Sequence, residues 1–338
     1  MPIITVLSYN SLQKPLLINE VKNEYKNERN EYFSGEIIEN YDVIALQEQF
    51  SFLNPRPIKL LEKALEIGFN YYYRIKDPRF TEKALIDGGL VTLSKFPIIE
   101  ADQIIFDPPV SRDRVMQKGV IWTLIQLPNN KRLHVFNTHL LAVFEHLTED
   151  VYISCRIRTA QQIFQLRKFM KEKIRDSYLS GDLAILCSDL NVDARNESFN
   201  SQELLRHLEI DKGLGIILQE EKNELKFFER IMDFNNDIFK PVHVFYKQHG
   251  HYPTTVGDYE EDDDGNRIPI ETIITAKELQ LVKSNPDHIY ELKVKGKDDR
   301  SKLRILPRSA TVEKFLVHNQ LFTQLSDHFG LSLKIEYI

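Results

Sequence analysis

No stretch of this chain approaches the run of about 18 apolar residues that a membrane-spanning helix needs, so no transmembrane helix is expected. Cysteine is nearly absent. Cys155 and Cys187 are the only two in 338 residues, which excludes a disulfide framework or a cysteine-based zinc site and fits a reducing compartment. Met1-Pro-Ile-Ile-Thr-Val lacks a basic leader region and a cleavage signature, so the expectation is a cytoplasmic protein, peripheral to membranes at most. A basic excess is missing too: 44 Lys and Arg face 50 Asp and Glu, for a formal charge of −6. No stable nucleic-acid partner is therefore expected. A nuclease stays open, because a bound cation offsets local charge. There is no Gly-x-x-x-x-Gly-Lys-Ser loop and no Gly-x-Ser-x-Gly elbow, so NTP hydrolysis and serine-esterase chemistry lack their signals. With no internal repeat and no linker rich in Pro, Gly or Ser, one domain over 1–338 is the economical reading.

Apolar residues make up 42% of the chain, enough for a substantial core. Short continuous apolar runs read as buried strands: Pro2 to Tyr9, Asp42 to Gln47, and Leu183 to Cys187. Asp87-Gly-Gly-Leu-Val-Thr-Leu-Ser94 is a turn entering a strand, and Pro97 with Ile98 starts the next. Val120 to Leu127 and Leu133 to Asn137 form strands joined by a hairpin-type loop at Pro128 to Lys131. Residues 19–41 are charged and helix-like, and Pro57 opens a helix running to Ile67 before Gly68. Glu149 to Ser180 is the longest helical span, with Ile153, Ile157, Ala160, Ile163, Phe164, Leu166 and Met170 at helical spacing, a core-facing stripe. Residues 198–250 are rich in phenylalanine without a clean period. The acid run Glu260 to Asp264 reads as a solvated loop, since the alternation of a calcium loop is missing. Two last strands are expected around Thr311–Val317 and Phe329–Ile335.

Polar residues cluster where these strands stop or start. Asn10 follows the first and Glu48 follows Ile44-Ala-Leu-Gln47. Asn137-Thr-His139 ends a third, Asp189 and Asn191 end a fourth, and Ser326-Asp-His328 precedes the last. Polar groups just past the carboxyl ends of buried strands are where α/β folds build their sites. Each alone reads as structural or solvated; their joint occurrence points to metal-assisted hydrolysis. Glu48, Asn10 and Asp327 are hard oxygen donors that suit Mg²⁺, with Mn²⁺ as a substitute. Zinc is disfavoured, because cysteine and clustered histidine are absent from this set. Asp189 and His328 would orient and deprotonate a water, while His139 and Asn191 donate to phosphate oxygens.

The ordered set Asn10, Asp42-Val-Ile-Ala-Leu-Gln-Glu48, Gly88-Gly-Leu-Val-Thr-Leu-Ser-Lys-Phe-Pro97, Lys118-Gly119, Asn137-Thr-His-Leu140, Ser188-Asp-Leu-Asn191 and Ser326-Asp-His328 resembles the endonuclease/exonuclease/phosphatase superfamily from end to end. Thr138-His-Leu-Leu-Ala142, Asp150-Val-Tyr-Ile-Ser-Cys-Arg156 and Ala160-Gln-Gln-Ile-Phe-Gln-Leu166 are most similar to neutral sphingomyelinases. The resemblance implies a four-layered α/β/β/α sandwich and a Mg²⁺-dependent phosphodiesterase. Its substrate would be sphingomyelin or a related phospholipid at a membrane surface, cleaved to a lipid alcohol and a phosphorylated head group. It implies Glu48 with Asn10 on Mg²⁺, Asp189 and His328 on the water, His139 and Asn191 on the phosphate, and Asp327 supporting the metal or the histidine. Three features depart from the family: Ser188 stands where Gly is usual, no membrane segment is present, and Glu271 within Pro269–Ile274 has to replace a usual Asp. An insertion is expected at about 279–306; it and residues 227–246 are the segments from which aromatics would meet a bilayer. A nuclease or nucleotide phosphodiesterase with the same site is the alternative. A catalytically dead binding module would require loss of Glu48, His139, Asp189 or His328, and all are present.

Overall fold

The computed structural model describes residues 2–337, apart from 16, 17, 19, 20, 22, 23, 79–83, 108–114, 144–147, 176–180, 198, 209, 237 and 296–302. In chain order the strands are β1 (Ile3–Asn10), β2 (Val43–Gln47), β3 (Tyr71–Arg74), β4 (Val91–Ser94), β5 (Ile98–Ile105), β6 (Gly119–Leu127), β7 (Lys131–His139) and β8 (Leu183–Asp189). They continue as β9 (Phe239–His243), β10 (Tyr259–Glu261), β11 (Arg267–Pro269), β12 (Asp287–Val294), β13 (Leu303–Ile305), β14 (Thr311–Glu313) and β15 (Gly330–Tyr337). One sheet runs β13-β15-β1-β2-β4-β3, with β14 also on β15; the other runs β5-β6-β7-β8-β12-β9, and β10 with β11 forms a separate hairpin.

The helices are α1 (Lys26–Tyr32), α2 (Arg56–Glu66), α3 (Glu149–Arg175), α4 (Ser201–Leu205), α5 (Lys212–Leu218), α6 (Glu224–Asp233) and α7 (Val244–His249). Val6, Val43, Val135, Ile185 and Leu333 fill the space between the two sheets. Leu7, Ile44 and Leu93, on the opposite face of the first sheet, pack with Phe33 and Leu60. Phe136 and Leu186 on the outer face of the second sheet meet Ile163, Leu166 and Met170 of α3 and Phe228 of α6. The result is the four-layered α/β/β/α sandwich. It explains why β1, β2 and β8 read as continuous apolar runs: both faces of each strand are covered. Burial of one such side chain stabilises by about 1.5–3 kcal/mol.

The local expectations differ from the structure in instructive places. Pro57 stands one position inside α2, which begins at Arg56, and the chain leaves the helix through Gly68 at φ 99°. Within residues 19–41 the α-helix is only Lys26–Tyr32, followed by a π turn over Phe33–Ile37 and a 3₁₀ turn over Ile38–Asn40. Residues 198–250 hold four short helices and β9, each too brief to show a period. β12 lies inside the span expected as an insertion, yet it pairs with β8 on one side and β9 on the other. Its signal, the alternation of Tyr290, Leu292 and Val294 with Glu291 and Lys293, is short and is interrupted by Ile289, which packs on the opposite face.

Candidate active site

Strand direction alone brings the polar clusters to one edge. β1 and β2 run parallel with Asn10 opposite Gln47, and β7 and β8 run parallel with His139 opposite Asp189. β12 is antiparallel to β8, so its first residue, Asp287, faces Asp189. β15 is antiparallel to β1, so the residues just before it, Ser326 to His328, arrive at the same edge. The sheets are tied together there. Gln47 Nε2 donates to Asn137 Oδ1 at 2.8 Å, and Asn137 Nδ2 donates to the carbonyls of Leu46 and Val91 at 3.0 and 3.1 Å. Asn137 is thus a brace between layers, and His139 is the end of its motif that lies beside Asp189.

Glu48 sits immediately after β2 in the left-handed region, at φ 58°. That conformation costs a non-glycine residue on the order of 1 kcal/mol and persists only where the surroundings impose it. Here Gln13 N donates to the Glu48 carbonyl and Gln49 N donates to the Gly89 carbonyl, at 3.1 and 2.8 Å. Gly89, at φ 61°, approaches so closely that a Cβ there would lie 3.0 Å from Glu48 Cα. This is the physical reason for a glycine at position 89. Asn10 Nδ2 donates to Asp189 Oδ2 at 2.8 Å and to Glu48 Oε1 at 3.3 Å, while its Oδ1 accepts from Leu12 N. Glu48 Oε2 is buried without a hydrogen-bond partner among the described residues. A buried, unsatisfied carboxylate oxygen is costly unless a cation or donor meets it.

The opposite end of the site is fully engaged. His328 Nδ1 donates to Asp287 Oδ2 at 2.8 Å, which leaves Nε2 as its free ring nitrogen. Burial acts to lower the His328 pKa, but the carboxylates of Asp287, Asp327 and Asp189 outweigh it and hold the pKa well above the ordinary histidine value. Asp189 is pushed up to about 7, first by burial and then by Asp287. Ligand atoms of Asp189, Asp287 and His328 lie within 4.8 Å of one another, and this cluster includes neither Glu48 nor Asp327. Asp327 accepts from Ser326 Oγ at 3.2 Å and acts on His328 through its charge. Arg29, buried under this segment, donates to the Leu325 and Leu12 carbonyls at 2.5 and 2.9 Å and so ties it to the end of β1.

His139 and Asn191 complete the cleft. Lys118 Nζ, which has no lone pair to offer, donates to His139 Nε2 at 3.0 Å. Burial and then the Lys118 charge hold the His139 pKa well below the ordinary value, so the ring is neutral and its proton sits on Nδ1. Nδ1 is buried without a hydrogen-bond partner among the described residues. Asn191 adopts φ 51°, its backbone N–H donates to Asp189 Oδ1 at 3.0 Å, and its Nδ2 donates to the Leu140 carbonyl at 3.1 Å. One amide hydrogen of Asn191 is left over. The structure therefore gathers Asn10, Glu48, His139, Asp189, Asn191, Asp327 and His328 along one edge.

Two residues have surroundings that the sequence left open. Glu271 spends its carboxylate on its own turn: its Oε1 accepts from the backbone N–H groups of Ile273 and Ile274, and its Oε2 from Thr275. It caps its own turn. The acid that meets His328 is Asp287, at the start of β12. The signal that finds it is the polar group before Asp287-His-Ile-Tyr290, a polar boundary at the start of a strand instead of its end. Lys118 is the other addition, a motif residue whose charge meets His139 only in three dimensions. Behind the cleft, Gln162 Oε1 of α3 accepts from Leu141 N at 3.0 Å, which fixes the chain leaving His139.

No family model matches the chain. A sphingomyelinase of Dictyostelium discoideum is 28% identical over 344 residues, covering 88% of this chain and 72% of that protein. Sphingomyelinase C 2 of Leptospira interrogans is 25% identical over 320 residues; the match covers 85% of this chain but only 49% of that protein. Among solved structures, a sphingomyelinase C from Streptomyces griseocarneus superposes with a TM-score of 0.61 at 19% identity, over 99% of both chains. The endonuclease/exonuclease/phosphatase protein of Beutenbergia cavernae gives 0.52 at 12% identity, over all of this chain and 72% of that one. The chain carries the endonuclease/exonuclease/phosphatase fold and resembles the sphingomyelinases. A further neighbour is a beta toxin of Staphylococcus aureus with bound magnesium ions, with a TM-score of 0.61 at 17% identity over the full length of both chains. Among the described residues no helix is long and apolar enough to cross a membrane.

Proposed function

We propose that the chain is a Mg²⁺-dependent phosphoric diester hydrolase that cleaves sphingomyelin or a related phospholipid to a lipid alcohol and a phosphorylated head group. The observation that carries this reading is the pairing of Asp287 with His328 at 2.8 Å, beside Asp189 and one cleft away from the unsatisfied oxygen of Glu48. The relatives named sphingomyelinase supply the substrate class.

The donor set fits the metal: a buried carboxylate oxygen without a partner, an adjacent amide, and neither cysteine nor paired histidine. Glu48 and Asn10 would hold Mg²⁺, with Mn²⁺ able to replace it. When bound, the ion supplies Lewis-acid stabilisation of negative charge on phosphate oxygens. The remaining work falls to the protein. Asp287 orients the His328 ring and commits Nδ1, so Nε2 is the atom that handles the proton of the attacking water together with Asp189. Asp327 supports the charge of His328. His139 Nδ1–H and the free hydrogen of the Asn191 amide donate to phosphoryl oxygens as charge builds on them, and Lys118 adds a positive charge behind His139.

Within the segments expected to meet the lipid surface, Tyr246, Leu279 and Leu281 are exposed. Phe227, Phe228 and Phe239 are buried in the core. Phe52, Leu53, Leu85 and Val115 are exposed. They flank the Glu48 end of the cleft, because Ser51 N donates to Asp87 Oδ2 and Leu85 N to the Val115 carbonyl. The test is release of phosphocholine from sphingomyelin vesicles with and without Mg²⁺, for the wild type and His328→Ala, beside a plasmid-nicking assay. Mg²⁺-dependent release lost in the variant is the expected result. Nicking without lipid cleavage overturns the substrate and keeps the site.

A further inference from the structure

The turn that carries Asn191 is held in an unusual way. Four consecutive residues after β8 have backbone groups pinned by side chains from distant elements. Arg156 Nη1 of α3 donates to the Asn191 carbonyl at 3.0 Å. His288 Nε2 donates to the Val192 carbonyl at 3.2 Å. Glu224 Oε2, at the start of α6, accepts from Asp193 N at 3.3 Å. Asn285 Oδ1 accepts from Ala194 N at 2.6 Å, and Asn223 Nδ2 donates to the Ala194 carbonyl at 2.5 Å. Arg156 and Glu224 are also joined to each other, Nε to Oε1 at 2.6 Å, with side chains only 7% and 1% exposed. The Tyr152 ring lies 5.5 Å from the guanidinium. Tyr152 and Arg156 belong to the α3 motif, and neither reaches the catalytic groups directly.

Stability gives no sufficient reason for this ion pair. Burying two charges costs desolvation that their attraction barely offsets, and an apolar pair of equal volume is often as stable or more so. What an apolar pair lacks is the fork. The guanidinium meets Glu224 through its charge while donating to the Asn191 carbonyl, and the carboxylate meets Arg156 through its charge while accepting from Asp193 N. The pair therefore grips the turn on both sides of Val192. Asn191 needs this grip, since its φ of 51° is strained for a non-glycine residue.

We propose that the Arg156–Glu224 pair is a positioning device for phosphate recognition: it locks the Asn191–Asp193 turn so that the spare amide hydrogen of Asn191 points at the substrate phosphoryl group. This rests on the phosphodiesterase reading above. Arg156→Lys keeps the charge and removes the fork; Glu224→Gln is the second variant, should the first fail to fold. The expected result is a kcat lower by about 10- to 100-fold with KM within about twofold, the scale set by small misplacements of a catalytic group. In an Asn191→Ala background the same substitution lowers kcat no further, because it acts through that side chain. Hydrogen exchange quickens in the peptide spanning 190–196 and nowhere else. Multiplicative losses in the double variant, or unchanged exchange in that peptide, overturn the proposal. A wild type that cleaves no phosphodiester sinks the parent reading alone. Protection of the same peptide by inorganic phosphate with Mg²⁺ then decides: protection weakened at least tenfold in Arg156→Lys supports the device, and equal or absent protection refutes it.

Discussion

The two ends of the cleft are built from the same residue types and behave in opposite ways. At one end Glu48 is forced into a left-handed conformation and keeps an oxygen without a partner. At the other, Asp287, Asp189 and His328 neutralise one another, and the pKa values of Asp189 and His328 are raised accordingly. A carboxylate held apart from donors suits a cation, while carboxylates packed around an imidazole hold a proton. The difference teaches that residue type alone does not assign a role. Glu271 makes the same point, as a further acid whose oxygens go to its own backbone.

The sharpest way to break the comparison is at the proton-handling end. His328→Ala should lower kcat by about 10³-fold, within the range of a lost general acid or base, and should also lower thermal stability, because Asp287 loses its buried partner. A variant that keeps a tenth of wild-type turnover would remove His328 from the chemistry. At the cation end, Glu48→Gln should raise the Mg²⁺ concentration for half-maximal activity at least tenfold, whereas Asp287→Asn lowers activity at every Mg²⁺ concentration. A Mg²⁺ titration of both variants separates the ends; parallel curves would mean there is only one. Gly89→Ala puts a Cβ 3.0 Å from Glu48 Cα at φ 61°, and should cost about 1–3 kcal/mol in denaturant titration, with a weakened Mg²⁺ response. Glu271→Gln should leave turnover within about twofold and cost about 1 kcal/mol of stability, since one of its two acceptor oxygens becomes a donor.

A buried histidine pair tests the same logic away from the cleft. Tyr246 N donates to His243 Nδ1, His243 Nε2 to His288 Nδ1, and His288 Nε2 to the Val192 carbonyl, a chain that requires both rings to be neutral. Burial lowers both pKa values, that of His288 to about 4. The unfolded state then binds more protons between about pH 4 and 6.5. Stability from this pair is fully present above 6.5 and is lost as pH falls through that window, on the order of 3 kcal/mol for His288. Glu229, pushed up to about 7 by burial, works in the opposite direction over an overlapping range. His243→Asn, which keeps an acceptor for Tyr246 N, isolates the pair: its melting temperature should fall less steeply with acidification. An unchanged slope would show that the histidines titrate alike folded and unfolded.

Much of the fold was legible because both faces of the inner strands are covered. β1, β2 and β8 appear as unbroken apolar runs, and the polar residues at their ends stand out against them. β12 was not legible. The acid that meets His328 opens the strand, and its apolar content is split between two packing layers and interrupted by Glu291 and Lys293. The short helices of residues 198–250 were hidden for a related reason: at five to ten residues, none completes enough turns to show a period.

By itself, then, the sequence determined the strand-end residues, the oxygen-rich donor set and the order of motifs, because these depend on local polarity and residue chemistry. Only the tertiary structure decided which acid partners His328, that Lys118 meets His139, and that Arg156 and Glu224 grip the Asn191 turn. The members of these contacts lie between 21 and 68 positions apart in the chain, and antiparallel pairing and helix packing, which no local pattern encodes, bring them together.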